Sequence, residues 1–140
     1  MTSEPTRWQD LNRDNPEYFA TAPGPAGYPD PVPGPDTLRR GGGGAPAPGS
    51  PHANAIRLFL GHIRDDDARL VHGTVSIEGE WRPHAWIELP GDLVWDGGTR
   101  RFYDRDAWSA ALSPQADRRY TRPEAARLLL VTTHPGPWND

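Results

Sequence analysis

A histidine and an aspartate stand at the two ends of one short stretch, His84-Ala85-Trp86-Ile87-Glu88-Leu89-Pro90-Gly91-Asp92-Leu93-Val94-Trp95-Asp96. A carboxylate beside an imidazole fixes its tautomer and stabilises the imidazolium, the arrangement that activates nucleophiles in many hydrolases. Other residue types narrow the chemistry. The chain has no cysteine, which excludes a disulfide framework, a thiolate zinc site and a cysteine nucleophile. His72, His84, Asp96 and His134 offer imidazole and carboxylate ligands that suit zinc or iron. No His-x-His or His-x-x-x-His spacing brings two of them together locally, so a His/Asp metal site is only an alternative. No cofactor is expected.

Whether His84 and Asp96 can meet depends on the turn between them. Side chains alternate along a strand, so His84, Trp86 and Glu88 share one face and Ala85, Ile87 and Leu89 the other. A loop of Leu89-Pro90-Gly91 puts His84 opposite Asp96. A loop of Pro90-Gly91-Asp92 puts Trp86 opposite Asp96 and makes His84 its diagonal neighbour. Facing Cβ atoms lie about 4.5–5.5 Å apart and diagonal ones about 7–8 Å, so either register can join the pair. A two-residue loop would place them on opposite faces.

The elements that position this hairpin lie in the C-terminal two-thirds of the chain. Eleven of the seventeen prolines fall between Pro5 and Pro51, and Gly41–Gly44 is a glycine tract. Such composition offers little apolar surface to offset the cost of ordering the backbone, so residues 1–50 read as a disordered segment. Trp8, Leu11, Tyr18 and Phe19 are the residues there that could dock. A folded domain of 51–140 follows. Ser50 is a plausible N-cap with Pro51 as first helical residue, and Ala55, Ile56, Phe59, Leu60 and Ile63 form one apolar stripe. Arg69 to Ile77 reads as a strand, with His72 on its half-exposed face. Glu78-Gly79-Glu80 is a hairpin turn, and Thr99–Tyr103 is a candidate short strand. Asp104 caps a helix through Trp108 and Leu112 that ends at Pro114. Thr121 and Glu124 form a capping box for a last helix to about Thr132. His134–Trp138 is a terminal loop able to lay its indole on the core. This order predicts an α+β fold: an N-terminal helix packed on a small antiparallel sheet of three to four strands, then C-terminal helices.

The helix start near Asn54-Ala55, the strand Val71-His72-Gly73-Thr74-Val75, then His84-Ala85-Trp86 and Trp95-Asp96 before Gly97, together resemble the papain-like and transglutaminase-like core. The similarity is greatest to small bacterial and phage proteins of that fold. It covers about 51–138. It implies a central helix whose N-terminus carries a cysteine nucleophile, a histidine base on a following strand and an orienting Asp or Asn on the next. Residue by residue, His84 takes the base position and Asp96 the orienting position. The cysteine position falls at Pro51, which has no nucleophilic atom. The resemblance therefore implies a pseudoenzyme that binds another protein. Its alternative is a weak hydrolase in which Ser50 takes the nucleophile position with His84 and Asp96.

Charge and hydropathy exclude other classes. The formal charge of −4 argues against a nucleic-acid-binding surface. No apolar run reaches the roughly 20 residues that span a bilayer, and no membrane partner is expected. Met1–Pro5 lacks a basic region followed by an apolar core, so no signal peptide is expected and the expected location is cytoplasmic.

Overall fold

A computed structural model describes residues 26–35 and 50–138. Helix α1 (Pro51–Gly61) is followed by strands β1 (Arg69–Ile77), β2 (Glu80–Leu89), β3 (Leu93–Asp96) and β4 (Arg101–Asp104). Helix α2 (Arg105–Leu112), strand β5 (Gln115–Tyr120) and helix α3 (Arg122–Thr132) complete the order. The strands form one antiparallel sheet in the order β4-β3-β2-β1-β5. The class is α+β, but the expected three to four strands are five. The strand missing from that expectation is β5. Five of its six residues are exposed, so it carries no alternating apolar pattern. It forms because β1 offers a second edge, and because Arg119 on β5 reaches across to Glu88 on β2 at 2.8 Å.

Local signals set the element ends. Ser50 Oγ accepts from the Ala53 N–H at 3.1 Å, with Pro51 in the first turn of α1. Asp104 caps α2 through the Ala107 N–H at 3.0 Å. Thr121 and Glu124 form the capping box of α3. The β1–β2 turn places Glu78 and Gly79 at φ 51° and 83°, the left-handed pair that suits a two-residue hairpin. The β2–β3 loop is Pro90-Gly91-Asp92, since Leu89 pairs with Leu93.

The sheet has a core on each face. Toward α1 and α3 lie Leu70, Ala85, Ile87, Trp95, Phe102 and Tyr120, packed on Ala55, Ile56, Leu58 and Phe59 of α1. Toward α2 lie Val71, Val75, Trp86, Val94 and Tyr103, closed by Trp108 and Leu112. Residues 26–35 depart from the disordered reading of 1–50. The Val32 N–H donates to the Phe102 carbonyl at 2.8 Å, bridging the outer edge of β4, and Tyr28 packs on the α2-side core. An otherwise open strand edge supplies the backbone partner that a proline-rich segment cannot make internally. Residues 1–25 and 36–49, with Trp8, Leu11, Tyr18 and Phe19, lie outside the described residues. Among the described residues no helix is long and apolar enough to cross a membrane.

Candidate functional site: a buried histidine–aspartate dyad in a cleft

Trp86 pairs with Asp96, so the second of the two registers is realised and His84 is the diagonal neighbour. The diagonal is closed by a hydrogen bond between His84 Nε2 and Asp96 Oδ2 at 2.9 Å. Both side chains are buried, Asp96 completely.

Asp96 is held from every side. Its Oδ2 also accepts from Trp108 Nε1 at 3.0 Å and from the Tyr28 hydroxyl at 3.1 Å. Its Oδ1 accepts from the backbone N–H groups of Gly98 at 2.8 Å and Thr99 at 2.7 Å. Burial alone would raise the Asp96 pKa. The His84 imidazole, the Thr99 N–H and the Trp108 indole outweigh it and hold the carboxyl below its usual range. An ionised Asp96 needs a donor, so the His84 nitrogen that faces it, Nε2, carries a proton. Tyr28 feels the converse. Burial first, then the Asp96 charge, push its phenol well above the ordinary value.

The dyad lies on the sheet face covered by α2 and Tyr28, whereas α1 packs on the other face. The two sides meet at the end of the sheet. Strand β3 stops at Asp96 while β2 runs on toward Glu80, leaving His84 beyond its last β3 partner. The loop Gly97–Thr99 and the N-terminus of α1 occupy that gap. Asn54 Nδ2 donates to the Gly97 carbonyl at 2.8 Å. Glycine is needed twice here. A Cβ at Gly97 would stand 2.3 Å from the Pro51 carbonyl oxygen, and one at Gly98 would stand 2.7 Å from His84 Cε1.

Pro51, His52, His84, Gly98 and Thr99 line one cleft of about 1050 Å³. Tyr28, Ile77 and Pro83 add apolar surface, Glu80 and Arg82 a charged rim, and Pro137 part of another wall. The helix start and the dyad are therefore together. Pro51 opens α1 and lines the cleft. Ser50 is exposed, and its hydroxyl is engaged as the helix cap.

The other two histidines of the candidate ligand set, His72 and His134, do not line the cleft. His72 is buried on the α1 side, not half-exposed, because His52, Tyr120 and Trp138 close over it. His134 is exposed in the C-terminal segment. Among the described residues no three His, Asp or Glu side chains converge as metal ligands. Sequence reasoning missed Tyr28 and Trp108 as partners of Asp96, and His52 as a cleft residue. A tyrosine in a proline-rich segment and a tryptophan on a helix face carry no signal of a shared acceptor. The spacing of His52 directly after Pro51 could have marked it as a neighbour of the dyad. Comparison with family models, with curated proteins and with solved structures gives no match.

Proposed function

We propose that this chain is a papain-like domain that has lost its nucleophile and serves as a binding module for a segment of another protein. The observation that carries the reading is the place of Pro51. It opens α1, lines the same cleft as His84, and packs its carbonyl against Gly97, next to Asp96. A papain-like enzyme carries its cysteine at that helix start, where the helix dipole helps to keep it as thiolate. A pyrrolidine ring offers no nucleophilic atom. Ser50 does not supply one in its present role, because its hydroxyl accepts the Ala53 N–H and stabilises the helix.

A concave site with apolar walls and a few polar groups is the usual form of a ligand site. Tyr28, Pro51, Ile77, Pro83 and Pro137 supply the walls, and Glu80 and Arg82 the rim. Trp81 stands 55 % exposed on the adjoining strand, a residue type enriched where proteins bind one another. The ligand this suits is an extended, largely apolar peptide from a partner in the cytoplasm.

The test is selection of peptides from a displayed random library on the immobilised full chain. The expected result is enrichment of apolar sequences that is lost in an Ile77→Arg variant, which places a charge on the cleft wall. No enrichment, or enrichment unaffected by that substitution, would remove the cleft as the binding site.

A further inference from the structure

Behind the dyad lies a second set of buried imidazoles that the cleft reading does not use. His72 on β1 is 5 % exposed, and neither of its ring nitrogens has a hydrogen-bond partner among the described residues. A buried polar group left in this way is destabilising even when neutral. The ring is enclosed by His52 at 4.7 Å between centroids, Tyr120 at 5.1 Å and Trp138 at 4.9 Å. The backbone of Gly136 lies so close that a Cβ there would be 2.5 Å from His72 Cε1.

The lid over His72 is thus the segment His134–Trp138. Its hydrogen bonds run within itself and the end of α3. Trp138 Nε1 donates to the His134 carbonyl at 2.9 Å, and the Gly136 N–H donates to His134 Nδ1 at 3.1 Å. Its contacts with the domain are packing contacts: Trp138, a member of the α1-side core, lies against His72 and, edge-on at 5.1 Å, against Tyr120, and the Gly136 backbone lies over the His72 ring.

The groups around His72 give a positive charge no support. From α1 comes His52, which itself faces His84. From β5 come Tyr120 and Arg118, the latter opposite His72 in the strand pair, and from β2 comes Ala85. The covering segment brings His134 and Trp138. None of these is a carboxylate. Burial first, and then the neighbouring His52, push His72 down to about 4, and burial with His84 does the same to His52.

We infer that His134–Trp138 is an acid-released latch: a proton on His72 is accommodated by lifting this segment, which unseats Trp138 and removes the Pro137 wall of the cleft. Lifting the end of the segment hydrates the ring without breaking the sheet. The consequence for ligand binding rests on the proposed function of the cleft, whereas the latch itself does not.

Hydrogen exchange of the full chain, corrected for the intrinsic effect of pH, tests it. Between pH 7 and pH 4 the amides of Thr133, His134, Gly136 and Trp138 should lose at least about tenfold in protection while those of β2 and β3 keep theirs. In His72→Phe, which cannot take a proton, protection of these four amides should persist at pH 4. A fluorine label on the tryptophans of the unsubstituted chain gives a second readout, with the Trp138 signal identified from Trp138→Phe. That signal should move to a solvent-exposed position before the others. The latch is overturned if Trp138 stays seated until the whole domain unfolds. It is equally overturned if His72→Phe folds and releases the segment at the same pH. Peptide binding to the cleft can fail without affecting any of these outcomes.

Discussion

His84 reaches Asp96 across a diagonal. The residue opposite Asp96 is Trp86, two positions along, yet Nε2 and Oδ2 are 2.9 Å apart. The diagonal closes because β3 ends at Asp96, so no further β3 side chain stands opposite His84, and because Gly98 leaves room for the ring. The pair is thereby a product of strand length and loop composition as much as of the two residues.

Replacing Asp96 by alanine should be among the most damaging single changes in the domain. It leaves the His84 ring, the Trp108 indole and the Tyr28 hydroxyl without their shared acceptor. A loss of about 3–5 kcal/mol in urea unfolding is expected, as for breaking a buried charged network. Asp96→Asn should retain part of this, since one acceptor oxygen remains.

Gly98→Ala should be destabilising by about 1–3 kcal/mol, because its Cβ meets an imidazole that packing holds in place. The NMR resonance of the His84 Cε1 proton should move at the same time. An unchanged resonance would mean that the ring has more room than its 2.7 Å approach allows.

Ser50→Ala separates cap from nucleophile. Loss of the bond to the Ala53 N–H should cost about 1 kcal/mol of stability. A fluorophosphonate should label neither the variant nor the unsubstituted chain at position 50. Labelling that requires both Ser50 and His84 would restore the hydrolase reading.

Stability should fall as the solution is acidified from neutral. His52 and His72 are pushed down to about 4 by burial in the folded chain, from an ordinary value near 6.5. The unfolded chain therefore binds more protons, and the stability held above about pH 6.5 is lost as pH falls toward 4. Asp96, whose carboxyl is also depressed, loses its contribution only at lower pH, below the ordinary carboxylate range. Urea unfolding at pH 7, 5.5 and 4.5 should show a steady decline, with a shallower slope in His72→Phe.

Much of this arrangement is legible in the residues. Ser50, Pro51, Asp104, Thr121 and Glu124 state their helix starts through cap chemistry, which is local. The dyad is legible as a possibility, because alternation fixes faces. The sequence leaves two registers open, since the turn residues Leu89 to Asp92 fit either loop. What escapes is non-local. Strand β5 is polar because only its backbone is used by the sheet. Tyr28 lies 68 residues from its acceptor Asp96, in a stretch whose prolines argue for disorder. His72 looks half-exposed beside Thr74 and Ser76 until α1, β5 and Trp138 are brought over it.

The central claim is that Pro51 occupies the place of a nucleophile served by His84, and alkylation of a Pro51→Cys variant tests it most directly. A free thiol titrates near 8.5, and one at a helix start beside an imidazole titrates well below that. The account predicts that iodoacetamide modifies Cys at this position, at pH 6, at least about tenfold faster than it does when His84→Ala is added, with both variants folded. Equal rates in the two backgrounds, at the value of an ordinary thiol, would contradict the account: the cleft would then hold a His–Asp pair that never faced a nucleophile.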